Sequence, residues 1–165
     1  MSYDLVIRGG TVATASDVFR ADVGVRGGKI AALADRLPEG VREIDASGRL
    51  VLPGAIETHC HIAQDSATGA MTADGYRSGS VSAAFGGNTT IIPFAAQHRG
   101  QSVRDVLRIY DERAEGASIL DWSYHLIISD PTETVMKKEL PEAFAAGVTS
   151  FKVFMTYDKL VVDDA

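Results

Sequence analysis

Two histidines separated by one residue lie in the run Glu57-Thr58-His59-Cys60-His61. On an extended strand, residues i and i+2 point to the same face. The imidazoles of His59 and His61 then project side by side, as half of a site for a divalent metal ion. A bare His-x-His is equally the pattern of two polar residues on a solvent-facing strand. Its position favours the metal reading, because the pair follows Pro53-Gly54 and ends an apolar run where a strand gives way to a loop. Cys60 points the opposite way and reads as a small packing residue.

Lys152 is the second group, in Ser-Phe-Lys-Val-Phe-Met-Thr-Tyr. A lysine within an apolar strand is costly to bury as a charge. An edge strand or a snorkelling stem would relieve that cost. The alternative is an amine held neutral and used chemically. A neutral amine reacts with carbon dioxide to give a carbamate, an anionic ligand with two oxygens that can bridge two metal ions. Tyr157 closes the same run; a phenol there can donate to a developing oxyanion, or simply sit at a rim. His98, beside Arg99, falls in a loop that could line a pocket. His125 falls in mid-strand and reads as a hydrogen-bonded packing residue.

These groups need elements to place them. Residues 1–52 read as short strands of a small antiparallel sheet, with turns expected at Gly9-Gly10, Gly27-Gly28 and Ser47-Gly48. After Pro53-Gly54, strand and helix signals alternate, the pattern of βαβ units on a parallel sheet. Strands are expected at 55–62, 89–95, 122–128 and 150–156, with a weak helix at 74–85. The strongest helix is expected at 102–115, with Val103, Val106, Leu107, Tyr110 and Ala114 on one stripe, Ser102 and Asp105 as a capping box and Gly116 as the stop. Asp130-Pro131 opens a further helical stretch, which Pro141 divides in two before Gly147. The fold class is α/β: 1–52 as strands of a small β-sandwich domain, then 53–165 as the first four units of a (β/α)8 barrel. A complete barrel needs ~250 residues, so the 165 residues here read as part of a longer protein.

Apolar residues make up 45% and charged residues 23% of the chain, a globular composition. The net charge of −6 disfavours nucleic acid or an anionic membrane as partner. A single cysteine allows no internal disulfide and fits a cytoplasmic setting. Neither a leader nor a membrane span is expected.

Together the motifs resemble the hydantoinase/dihydropyrimidinase family of cyclic amidohydrolases. Asp4-Leu5-Val6-Ile7-Arg8-Gly9-Gly10 resembles the family's opening strand, and Val51-Leu52-Pro53-Gly54-Ala55-Ile56 leads into His59-Cys60-His61 as its first barrel strand does. Ala83-Ala84-Phe85-Gly86-Gly87-Asn88-Thr89-Thr90 is similar to its second strand junction. Lys152-Val153-Phe154-Met155-Thr156-Tyr157, the most specific motif, is similar to its carboxylated-lysine strand. The resemblance implies a barrel plus a β-sandwich built from both termini. It implies two divalent metals, usually zinc, bridged by carboxylated Lys152 and a hydroxide that attacks the ring amide of a dihydropyrimidine or hydantoin. His59 and His61 would hold one metal, and Tyr157 would polarise the carbonyl or steady the tetrahedral intermediate. A small-molecule cyclic amide is the implied partner, and a tetramer the implied assembly.

Two departures stand out. The family carries Asp two residues before the first histidine, where this chain has Glu57, and the stretch Ile62-Ala63-Gln64-Asp65-Ser66 differs from the commoner family sequence. The family's remaining ligands, two histidines and an aspartate from later strands, have no counterpart here. Two rivals follow: a non-catalytic scaffold protein of the same fold, and an allantoinase- or dihydroorotase-like enzyme. The complete set of His59, His61 and Lys152 argues against the first. The Lys-Val-Phe-Met run argues against the second.

Overall fold

The computed structural model describes residues 2–65 and 69–163 and divides into two compact units, Met1–Pro53 and Gly54–Ala165.

The first unit is a five-stranded sheet in which β3 (Lys29–Ala34), β2 (Val18–Arg26), β1 (Tyr3–Ala13) and β4 (Gly40–Asp45) lie in that order, with β5 (Leu50–Val51) also on β1. Gly27 and Gly28 have φ of 58° and 73°, the two positive values that a tight β2–β3 hairpin loop requires. Gly9-Gly10, expected as a turn, is not one. Strand β1 runs through it with a bulge between Ile7 and Gly10, and Gly9 takes φ 64°. The competing force is tertiary: the Gly9 N–H donates to the buried Asp22 carboxylate at 2.8 Å. The β1–β2 turn falls instead at Thr14–Asp17, where the Thr14 hydroxyl accepts from the Asp17 N–H. The sheet is mixed rather than antiparallel, because β4 and β5 both run parallel to β1 along one edge. The Ser47-Gly48 turn therefore offsets the chain without reversing it.

Asp22 also accepts from the Leu37 N–H at 3.0 Å and from Arg8 at 2.8 Å, and Arg8 pairs with Glu43. The Leu37 and Gly9 amides, with Arg8, hold the Asp22 carboxyl below the usual carboxylate range despite its burial.

In the second unit, β6 (Ala55–Cys60), β7 (Asn88–Ala96), the short pair β8 (Asp121–Trp122) and β9 (His125–Ile127), and β10 (Ser150–Lys152) run parallel, with β6 and β10 at the edges. Helices α1 (Tyr76–Phe85) and α2 (Val103–Ala114) link successive strands, and a π-helical segment (Val135–Glu139) followed by α3 (Leu140–Ala145) leads into β10. The protein is thus a mixed α/β chain. Ser102 caps α2, its hydroxyl accepting from the Asp105 N–H, and Val103, Val106, Tyr110 and Ala114 are buried as the stripe predicts. They pack with Ile91, Ala95, Leu126 and Ile128 between sheet and helices.

Three elements differ from expectation. The strand expected at 122–128 is split into β8 and β9. Pro93 lies on β7 opposite the break, between the pairs Ile91↔Trp122 and Phe94↔His125, and has no N–H to give a ladder. The helical stretch expected from Asp130-Pro131 opens at Glu133 instead, with the Thr132 hydroxyl accepting from the Val135 N–H, while the Asp130 carboxylate accepts from the Gly100 N–H. Pro141 does not separate two helices. The turn before it widens, with the Leu140 N–H reaching the Val135 carbonyl, and helical chain continues through the proline. Among the described residues no helix is long and apolar enough to cross a membrane.

Candidate metal site

Strand register decides which side chains share a face. Phe94 pairs with His125 and His125 with Ser150, forming one row across β7, β9 and β10. Two residues further on, Ala96, Ile127 and Lys152 form the next row. Alternation therefore puts Phe94, His125 and Lys152 on one face, opposite the helix-covered residues Ala95 and Leu126.

The rings converge on Phe94, which is only 4% exposed. His61 stacks on it at 4.7 Å between centroids, His59 meets it edge-on at 4.8 Å, and His125 lies at 5.1 Å. The two candidate ligands are 5.5 Å apart, ring to ring. The Lys152 ammonium sits 4.3 Å from the Phe94 ring centre and 4.8 Å from that of Phe154. Lys152 is half-buried on an edge strand that ends at Lys152 itself, not at Thr156 as its apolar run suggested. His59, Lys152, Phe94 and His125 line one open hollow.

The hydrogen bonds select ring nitrogens. His61 Nδ1 lies 2.6 Å from Gln64 Oε1, an acceptor, so Nδ1 is the donor, the tautomer that in a neutral ring leaves the Nε2 lone pair for a metal. A ligating histidine is usually held in this way. His125 is engaged at both nitrogens: Nε2 donates to the Thr58 carbonyl at 2.8 Å and Nδ1 lies 2.5 Å from the Ser150 hydroxyl. It is a hydrogen-bonded packing residue, as its mid-strand place suggests. Cys60 packs against the core on the other side, and burial, then Glu57, pushes its thiol up to about 11. That value suits a packing residue and not a thiolate ligand.

Tyr157 is not brought into this group. It is 69% exposed, in a turn beyond β10 with φ 71°, and touches Phe154 at 5.7 Å. His98 is exposed; with Arg99, Gln64, Asp65 and Phe154 it lines a neighbouring hollow. Ser66, in the divergent stretch after His61, and the terminal Asp164-Ala165 lie outside the described residues. Among the described residues, no cluster of three or more His, Cys, Asp or Glu could hold a metal. The donor set fits one metal's histidine pair with a lysine nearby. Sequence reasoning missed Phe94 and Gln64; the spacing of Gln64, three residues after His61, was the one local sign.

No family model matches the chain. D-hydantoinase from Rhizobium radiobacter is 41% identical over 162 residues, which cover 98% of this chain and 35% of that protein. Dihydropyrimidinase from Rattus norvegicus is 36% identical over 162 residues, covering 94% and 31%. A solved structure of D-hydantoinase superposes with a TM-score of 0.89 at 41% identity, covering 98% of this chain and 35% of the other. The chain thus spans 31 to 35% of the length of these relatives. Along nearly its full length the chain is thus similar, in sequence and in backbone, to the N-terminal portion of D-hydantoinases and dihydropyrimidinases.

Proposed function

We propose that this chain is the N-terminal part of a metal-dependent hydrolase that opens the ring of a dihydropyrimidine or hydantoin. The observation that carries this reading is the convergence of His59, His61 and Lys152 around Phe94. Four parallel strand positions in sequence order, joined through helices, suit the first half of a (β/α)8 barrel, with the first unit as part of a β-sandwich. In this reading His59 and His61 would hold one divalent ion, zinc by the resemblance, His61 through Nε2 with its ring fixed by Gln64. Lys152, as its carbamate, would supply a further ligand, and later strands would supply the rest. The ions held there would serve to polarise the ring carbonyl and to generate the nucleophile from water at neutral pH. Tyr157, exposed on the turn after β10, would polarise the substrate carbonyl or steady the tetrahedral intermediate.

The reading is tested on the full-length protein with hydantoin and dihydrouracil. Ring opening is expected, lost in Lys152→Ala and partly restored by added short-chain acid, which takes the place of the carbamate. An unaffected Lys152→Ala enzyme rejects the lysine's role. The 165-residue chain alone is expected to show no turnover above background; measurable turnover rejects the claim that later strands complete the site. A full-length protein that binds no metal points to a scaffold.

A further inference from the structure

The peptide group between Thr58 and His59 has left the sheet. Glu57 pairs with Ile91 and Cys60 with Pro93, so Thr58 and His59 together face the single residue Ile92. Such a bulge re-aims the side chain it carries and takes backbone groups off the ladder. Both polar atoms of this peptide are nonetheless held, each by a side chain. The His59 N–H donates to Glu57 Oε1 at 2.9 Å. The Thr58 carbonyl accepts from His125 Nε2 at 2.8 Å, across from β9, a strand that does not pair with β6. His125 is itself fixed from behind by Ser150 at 2.5 Å and braced against Phe94.

We infer that Glu57 and His125 form a clamp on the Thr58–His59 peptide that sets the direction of the His59 imidazole, making both of them positioning residues for metal binding. Two bonds on opposite ends of one peptide plane stop its rotation. The plane adjoins the His59 Cα, so its orientation sets where that ring points. On β6, an edge strand, little else would hold it. The Glu57 carboxylate folds over to the amide two residues on, which gives Glu57 a defined task in this chain. The inference rests on His59 being a metal ligand, as proposed above.

The test uses the full-length protein and two kinds of readout. The first needs no metal: hydrogen exchange at the His59 amide. Protection is expected in the native protein, with at least a ~10-fold loss in Glu57→Ala and recovery in Glu57→Gln, whose amide oxygen still accepts. An unprotected native His59 amide overturns the clamp itself. The second is cobalt(II) titration followed by visible absorption. Glu57→Ala and His125→Phe are expected to bind cobalt about 10- to 100-fold more weakly with an altered ligand-field spectrum, and Glu57→Gln to stay near native. Circular dichroism identifies the folded variants. Folded Glu57→Ala and His125→Phe proteins with native cobalt affinity and spectrum overturn the positioning role. A native protein that takes up no cobalt overturns the metal reading, while exchange at His59 still decides the clamp.

Discussion

Replacing Phe94 by leucine tests whether one ring organises the site. Leucine nearly conserves volume, so the cavity penalty is small, and what is lost is the set of ring contacts. Three are with histidines, at 4.7, 4.8 and 5.1 Å, and the fourth is with the Lys152 ammonium at 4.3 Å. An aromatic pair contributes about 0.5–1.5 kcal/mol beyond area burial, and a solvent-accessible cation–π contact about 0.5–1 kcal/mol. His59 and His61 are exposed, so the lower end of each range applies, and the total is roughly 2 kcal/mol. Phe94→Ala should cost about 3–5 kcal/mol, because it adds a cavity beneath the same groups. The assay is urea unfolding at neutral pH, with fluorescence and circular dichroism compared for coincidence. A Phe94→Leu variant within ~0.5 kcal/mol of the native protein would refute the reasoning, since four contacts of this geometry cannot all be energetically silent. In the full-length protein the same variant should also bind metal more weakly, measured by metal content after gel filtration.

Three further outcomes follow from two buried polar groups. Asp22→Ala strands the Gly9 and Leu37 amides, each at ~1–3 kcal/mol, while Arg8 keeps Glu43 and the Leu37 carbonyl; the first unit should lose about 2–6 kcal/mol in urea unfolding. The Asp22 carboxyl is lowered in the folded state, so its stabilising contribution is complete above the unfolded aspartate value of ~3.9 and disappears as pH falls below it. Unfolding midpoints between pH 6 and pH 3 should therefore fall more steeply in the native protein than in Asp22→Ala. Gln97, fully buried, accepts from the Ser129 and Asp130 amides and donates to the Gln101 carbonyl, tying the β7 and β9 loops together. Gln97→Leu should cost about 2–4 kcal/mol and raise amide exchange at Ser129 and Asp130.

Strand alternation and apolar runs were enough to put His59 with His61 and to single out Lys152, because both arguments are local: one uses the two-residue period of a strand, the other the cost of a charge within an apolar run. The capped helix α2 was legible for the same reason: its stripe, cap and stop are local. The Gly9-Gly10 pair shows where local reading fails. It has the composition of a turn, yet a carboxylate 13 residues away captures Gly9 and keeps the chain in the strand. Pro141 likewise looked like a break until the preceding turn widened around it. Tertiary structure alone decided that Phe94, His125 and Lys152 share a face, and that Glu57 and His125 meet on one peptide. The first depends on the register between β7, β9 and β10, the second on a one-residue bulge in β6. Register is set by the packing of whole faces, and slipping it by one residue turns every side chain to the other side.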